Sequence, residues 1–304
     1  MKIFESLPKV AVLLATHNGD KYLKYQLASI ISQVDVEVTV FISDDSSTDG
    51  TMNYIKTICL PNVKILKQRN VYSPALNFLN FFIDDLVLKF DYYAFADQDD
   101  IWMPNKLSKA VECIKSQKAN CYSSDLIIFK ENNSDHHFGY LRKSSVQKKY
   151  DYLFQGASAG CTYLIDFTAF QLIHDLISKY GIEKNIISHD WFIYAICRSH
   201  NLIWHMDKSA YILYRQHSSN AYGSGSIISD FVKKIILVRN NMYINSILSL
   251  KKYLRNTNEE INILQAVSSS TLKDKIFLIS KVFYFRRRRI DAFFLIFILL
   301  LSKK

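Results

Sequence analysis

Glycine and proline are scarce: eight and four in 304 residues. That excludes a collagenous or loop-rich chain. The few glycines form neither the G-x-G-x-x-G fingerprint nor a G-x-x-x-x-G-K-[ST] loop, so neither of the common Gly-rich phosphate cradles is present. No H-E-x-x-H occurs. The five cysteines (Cys59, Cys113, Cys121, Cys161, Cys197) are odd in number and contain no C-x-x-C. This spacing fits no zinc site and points to reduced thiols in a cytosolic setting. No repeat of solenoid period is found. No apolar run approaches the ~20 residues that span a bilayer; Ala292–Leu301, near the C-terminus, is only ten. The N-terminal "MKIFESLPKVAVLLATHN" has a short apolar stretch and no small-residue cleavage site, so it is not read as a signal peptide.

What the chain does have is apolar and aromatic mass. Apolar residues make up 49%, with 19 Tyr and 20 Phe, which is a folded composition. The formal net charge is +10. Residues 1–225 balance at 23 basic and 23 acidic side chains, whereas residues 226–304 hold 15 basic against 5 acidic. The whole excess lies in the tail. We therefore place an organisational boundary at "GSGS", Gly223–Ser226, between a 1–225 domain and a 226–304 tail.

In the first half, strand-like runs alternate with helix-like ones. "KVAVLLAT" is continuously apolar, as in a strand buried on both faces. "KYLKYQLASIISQ" has helical spacing, "VEVTVFISDD" is β-branched, and "TMNYIKTI" is helical. "NVKILKQ" is a short strand, "SPALNFLNFFIDDLV" a helix with Pro74 in its first turn, "DYYAFAD" a strand, and "MPNKLSKAVECIKS" a helix. The alternation predicts a mostly parallel α/β sheet flanked by helices. Later, "ANCYSSDLIIF" and "GCTYLID" carry strands, and "NNSDHHFGYLRKSS" reads as a polar loop. "FTAFQLIHDLISKY" and "SHDWFIYAICRS" are helices, the second with Ser188 as N-cap. "IWHMDKSAYILYRQH" holds two short strand-like runs.

In such sheets ligands bind beyond the carboxyl ends of the strands. Three polar clusters fall there: Thr16–Asn18, Asp44–Asp45 and Asp97–Asp100. The last puts three carboxylates into four positions, each raising the cost of ionising the next. A divalent cation, a cationic side chain, or both must relieve them. Without a Gly-rich cradle, phosphates need another source of positive charge. An Asp-x-Asp at a strand end can hold Mg²⁺ or Mn²⁺ against a diphosphate. The bland alternative is a solvated acidic turn.

"VAVLLATHNGDKYL", "ISDDSSTDGT", "FADQDDIWMPNKL", "GCTYLID" and "SHDWF" together resemble the successive motifs of family-two inverting glycosyltransferases with the GT-A fold. "DQDDIW" with "YRQH" is similar to their bacterial rhamnosyltransferase-like branch. The resemblance covers about residues 8–220. It implies that Ala15, Thr16, His17, Asn18 and Asp45 hold the nucleotide of a sugar-nucleotide donor. Asp97 would face the ribose or the metal's outer shell. Asp99 and His217 would bind the metal, Asp190 would be the catalytic base, and Gly160, Cys161 and Trp191 would line the sugar and acceptor pocket. Gln98 and His17 depart from the residues common at their positions, which leaves thymidine and uridine both open. From the residues alone, the alternative for Asp190 is a cap on its helix after Ser188. His217 reads as a surface histidine, and Trp102 and Trp191 as core aromatics.

The resemblance implies a metal-dependent inverting hexosyltransferase of surface polysaccharide synthesis. It would move a sugar, L-rhamnose by preference, from a dTDP- or UDP-linked donor to a saccharide or lipid-linked acceptor. A nucleotidyltransferase fits less well, for want of a basic Gly-rich loop between Ala15 and Tyr22. An inactive scaffold would not keep every carboxylate. The pI of about 9.2 raises a nucleic-acid-binding protein, but the basic tail is mixed with long apolar runs, so no nucleic-acid partner is expected. In the tail, Phe231, Ile235, Val238, Met242, Ile247 and Leu254 recur at roughly helical spacing, and Arg286–Arg289 separates two apolar runs. The expectation is a basic amphipathic tail lying in the headgroup region of an anionic membrane, its arginines on the lipid. That places the protein in the cytoplasm, on the inner face of the membrane. A helical lid or a homodimer interface is the alternative.

Overall fold

The computed structural model describes residues 6–131, 136–217, 242–269 and 271–301. In chain order the first elements are β1 (Lys9–Thr16), α1 (Leu23–Ile31), β2 (Glu37–Asp44), α2 (Thr51–Thr57), β3 (Val63–Ile65), α3 (Pro74–Asn80), β4 (Tyr92–Ala96), β5 (Ile101–Trp102) and α4 (Lys106–Gln117). Then come β6 (Cys121–Glu131), β7 (His136–Leu141), β8 (Leu164–Asp166), α5 (Phe167–Tyr180), α6 (His189–Ser199) and β9 (Trp204–Gln216). The tail holds α7 (Met242–Ser249), α8 (Asn258–Ser268), α9 (Leu272–Ser280), α10 (Val282–Phe285) and α11 (Arg289–Leu301). The chain forms two compact units. One comprises residues 1–144, 158–182 and 202–216; the other comprises 145–157, 183–201 and 217–304.

The first unit is built on a sheet in the order β3-β2-β1-β4-β8-β6-β9-β5, with β7 paired to β6. The continuous apolar run of β1 is buried on both faces, as its composition requires. Val10, Val12 and Leu14 join Leu23, Leu27 and Ile30 of α1 in one layer. The facing layer is aromatic: Tyr93 stacks on Phe170 at 3.7 Å and Phe82 on Phe170 at 4.8 Å. Each fully buried ring of this kind stabilises the fold by roughly 1.5–3 kcal/mol.

The first four strands of that order are parallel. The rest of the sheet is mixed: β8 runs antiparallel to β4 and β6, and β9 parallel to β6. Alternation along the chain does not announce this, because β8 is three residues long and enters from a loop. The segment read as a loop at 132–145 contains β7, antiparallel to β6. Its register sets Phe138 opposite Phe129, with rings stacked at 5.5 Å. A cross-strand aromatic pair stabilises strand pairing despite polar neighbours. The two short runs after Leu202 are a single 13-residue strand, β9. It passes a register irregularity at Asp125, whose carboxylate accepts the N–H groups of Lys143 and Ser144 at 2.6 Å each. Such irregularities re-aim a strand, and this one lies upstream of the residues β9 delivers to the site.

The second unit gathers α6, residues 145–157 and the described tail helices. Trp191, Phe192, Ile193 and Tyr194 of α6 are buried, as are Ile247, Tyr253, Ile263, Leu264, Val282, Phe285 and Leu295. Here the tail departs from the sequence-based expectation. Arg286 and Arg287, read as facing lipid, turn inward. Arg286 donates to Tyr243 Oη at 2.7 Å, and Arg287 donates to the carbonyl of Gly156 and pairs with Asp151 at 3.6 Å. The helical spacing read at Phe231, Ile235 and Val238, and the boundary at Gly223–Ser226, lie outside the described residues.

Candidate active site

The register of the parallel strands brings the polar clusters to one edge. Thr16 sits opposite Asp44, and Leu14 opposite Ala96, the residue before Asp97. Thr16 Oγ1 donates to Asp44 Oδ2 at 2.8 Å. His17 and Asn18 are exposed, and Ala15 is half-buried. Asn18 has φ of 49°, left-handed backbone that Asn tolerates better than most residues. Its Oδ1 accepts from Thr48 N at 2.8 Å, and its N–H donates to Ser47 Oγ at 2.8 Å. Asp45 is 4% exposed, and its carboxylate accepts from the N–H groups of Val71, Tyr72 and Ser73 at 2.8, 3.0 and 2.9 Å. A carboxylate offers about four acceptor positions, so Asp45 first shapes the 71–73 loop and has little capacity left for a base.

Gln98 ties two of these clusters together. Its Oε1 accepts from His17 N, and its Nε2 donates to His17 O, each at 2.8 Å. An acidic residue at this position could not donate. A Cβ on Gly19 would fall 2.2 Å from Gln98 Oε1, so Gly19 and Gln98 are a matched pair.

The acidic turn is relieved by cationic side chains. Arg215, buried near the end of β9, donates from Nε to the carbonyl of Asp99 at 2.9 Å and from its backbone N–H to Asp100 Oδ1 at 3.2 Å. Its guanidinium also lies over Tyr22 and Phe129, 4.6 and 4.9 Å from the ring centroids. Lys106 is buried with its ammonium 3.6 Å from the Trp102 ring centroid. Burial pulls the Lys106 amine down to about 7. Burial, with Asp99 and Asp97 adding to it, pushes the Asp100 carboxyl well up. Among the described residues, Asp100 Oδ2 is buried without a hydrogen-bond partner. Asp100 therefore belongs to the interior beside Lys106, while Asp97 and Asp99 are half-buried at the edge.

That division bears on a metal. Among the described residues, Asp97, Asp100 and Cys161 bring ligand atoms within 4.8 Å of one another. Burial pushes the Cys161 thiol well up, so it stays protonated, and a thiol with an interior carboxyl is a poor donor set for Mg²⁺ or Mn²⁺. The oxygens of Asp97 and Asp99 suit a hard cation better. Such cations commonly take one or two carboxylates and fill the remaining positions with phosphate and water. Gly160 and Cys161, expected to line a pocket, are buried under this turn. Residues 156–160 also spell G-x-S-x-G. This is not a nucleophile elbow, because a 3₁₀ turn rather than a helix follows it and Ser158 Oγ donates to the carbonyl of Ser124 at 2.8 Å.

In the second unit, Ser188 caps α6, accepting from Trp191 N at 3.3 Å. Asp190 is half-buried in the first turn, with Oδ1 accepting from the same N–H at 2.6 Å. Trp191, also expected in a pocket, is a core residue. It is 5% exposed, donates to the carbonyl of Tyr152 at 2.8 Å, and stacks on Tyr243 at 5.4 Å. It holds the helix that carries Asp190. His217 is half-buried, one residue beyond β9.

Residues 11–176 match the family model described as glycosyl transferase family 2. The chain belongs to that family. It is 32% identical to the dTDP-rhamnosyl transferase RfbG of Shigella flexneri over 294 residues, 95% of this chain and 99% of the relative. It is 28% identical over 122 residues to the UDP-Glc:alpha-D-GlcNAc-diphosphoundecaprenol beta-1,3-glucosyltransferase WfaP of Escherichia coli, covering 40% of this chain and 47% of that one. Among solved structures, S. aureus TarS 1–349 in complex with UDP-GlcNAc superposes with a TM-score of 0.57 at 14% identity, covering 91% of this chain and 82% of that one. That likeness is one of fold, the GT-A fold. The chain is a glycosyltransferase.

For this family-2 enzyme, sequence reasoning missed Arg215 and Lys106, and it flagged Gln98 only as a departure, not as the tie to His17. Arg215 had a signal, a base two residues before His217 in "YRQH". Lys106 reads as an ordinary exposed lysine at a helix start, and only the fold shows it against Trp102. It also missed Asp151, which is fully buried and accepts from Tyr194 Oη at 3.0 and 3.1 Å while pairing with Arg198 and Arg287 at 3.5 and 3.6 Å. Removing one partner of a buried ion cluster leaves the others uncompensated. Asp151→Ala is expected to cost about 3–5 kcal/mol. Chemical denaturation measures it, and an unchanged midpoint would show that the cluster contributes nothing.

Proposed function

We propose that this glycosyltransferase transfers L-rhamnose from dTDP-rhamnose, with inversion and with a divalent cation, to a saccharide or lipid-linked saccharide acceptor at the inner face of the cytoplasmic membrane. The observation that carries the chemistry is the acidic turn at the end of β4, tied through Gln98 to the exposed His17–Asn18 loop. Support for the donor is the similarity to RfbG along nearly the whole of both chains.

In the proposed mechanism the donor's diphosphate lies along the strand ends, between the His17–Asn18 loop and the Asp97–Asp99 edge. Asp99 and His217 would hold Mg²⁺ or Mn²⁺, with Asp97 toward the ribose or the ion's outer shell, and the ion would supply charge neutralisation for the leaving diphosphate. Arg215 offsets the turn's own negative charge from within the fold, its Nε held on the backbone carbonyl of Asp99. Asp190 takes the proton of the attacking acceptor hydroxyl. It sits in the first turn of α6, where the helix dipole favours an anion. The hydroxyl oxygen bonds to C1, the C1–O bond to the diphosphate breaks, and the anomeric centre inverts.

Donor identity is tested by offering the purified chain dTDP-rhamnose, UDP-glucose and UDP-GlcNAc with Mn²⁺ and measuring release of free nucleoside diphosphate. The expected result is release from dTDP-rhamnose at least ~10-fold above the others, the discrimination that roughly 1.4 kcal/mol of differential binding gives. Preference for a uridine donor would overturn the donor assignment and leave the family unaffected.

A further inference from the structure

The α9–α11 face of the second unit turns large apolar side chains outward. On α11, Ile290, Phe293, Phe297 and Leu300 are 67, 62, 47 and 54% exposed. Their spacing of three, four and three residues sets them on one stripe of the helix. The opposite stripe, Ala292, Leu295, Ile298 and Leu299, is buried. A surface helix normally carries polar residues on its outer face, whereas this one is apolar on both. α9 adds Leu272 and Ile276, and α10 adds Phe283, each more than half exposed. The rings of Phe283 and Phe293 meet edge-on at 6.3 Å, and Lys275 Nζ donates to the carbonyl of Leu300 at 3.1 Å. The three helices therefore present adjoining parts of one surface. Exposed apolar area of this extent marks an interaction site.

Charge selects the occupant. Arg288, paired with Asp291 at 3.7 Å, and Arg289 are exposed at the start of α11, and Lys273 is exposed on α9. Residues 226–304 carry the chain's entire excess of +10. A second copy would bring the same excess against it, whereas an anionic surface is attracted. The described helices are too short to span. α11 has 13 residues, about 20 Å at 1.5 Å per residue, against a hydrocarbon core of about 30 Å. No described helix is long and apolar enough to cross a membrane.

We infer that this face docks on an anionic lipid bilayer. Ile290, Phe293, Phe297 and Leu300 enter the boundary between headgroups and chains, α11 lies in the membrane plane, and Arg288 and Arg289 meet the phosphates. Arg286 and Arg287 are not part of this contact, because the interior of the unit holds them. The inference concerns binding alone and does not depend on which sugar is transferred, so vesicle binding tests it without turnover.

The test is flotation of the full chain with vesicles of phosphatidylglycerol and phosphatidylcholine, and with phosphatidylcholine alone. The full chain is expected to float with the anionic vesicles at low salt, at least ~10-fold more weakly with neutral ones, and to detach in part at high salt. The double variant Ile290→Ser/Phe293→Ser should lose partitioning by ~100-fold, with unchanged melting and donor hydrolysis because both side chains lie mostly outside the fold. Arg288→Gln/Arg289→Gln should lower binding to the anionic vesicles by ~30-fold. A full chain that ignores anionic vesicles at low salt overturns the inference. So does a serine variant that floats as well as the parent. If instead the serine pair abolishes a concentration-dependent dimer and no vesicle binding is seen, the face belongs to a second copy.

Discussion

Asp99→Ala is expected to lower sugar transfer by ~100-fold or more while leaving the protein folded. The size follows from what the residue would do. A group that stabilises charge developing on a leaving diphosphate acts mainly in the transition state, and losing one such group typically costs two to three powers of ten. The fold should survive because the site uses two different parts of Asp99. Arg215 Nε donates to its backbone carbonyl, which alanine retains. The carboxylate stands half-buried at the edge. Single-turnover transfer with dTDP-rhamnose, set beside a melting curve, separates the two roles. Titrating Mn²⁺ into the variant should show a weakened dependence on the ion. Full activity in the presence of chelator, in parent or variant, would remove the metal from the mechanism.

The contrast with Asp100 shows how much of this site is legible in sequence. "DQDD" announces that carboxylates crowd a strand end, and charge repulsion says that something positive must answer them. It does not say which carboxylate faces the ligand. That depends on burial, set by residues distant in the chain: Lys106 on the next helix, and Arg215, 115 residues beyond Asp100. The same holds for Asp44 and Asp45. Adjacent in sequence, both are buried and serve different loops.

The strands of the parallel half were readable because a strand buried on both faces must be continuously apolar. β7 was not, because it takes its stability from its partner strand more than from its own composition; for β8, "GCTYLID" shows the strand but not its antiparallel direction. The tail was half legible. Its helices and charge excess are in the sequence, but "RRRR" looks uniform. Only packing shows that Arg286 and Arg287 serve Tyr243 and Asp151 while Arg288 and Arg289 face outward.

Asp190→Asn is the sharper test of the chemistry, because the structure separates capping from catalysis. Were Asp190 only a cap, asparagine would serve as well, since its side-chain oxygen can accept from Trp191 N as Oδ1 does at 2.6 Å. Ser188 already supplies a cap at the same N–H. The helix should therefore stay in place, with Trp191 still bonded to the carbonyl of Tyr152 and stacked on Tyr243. What asparagine cannot do is take a proton. If Asp190 deprotonates the acceptor hydroxyl, transfer should fall by ~100-fold or more. Donor affinity should hardly change, so kcat falls with KM for the donor constant, as for an interaction made only in the transition state. Slow hydrolysis of donor by water provides a second readout. It should fall alongside transfer if the same base activates water. A variant that transfers at the parental rate would reduce Asp190 to a helix-end residue, and the proton acceptor would have to be sought among other side chains near the acceptor.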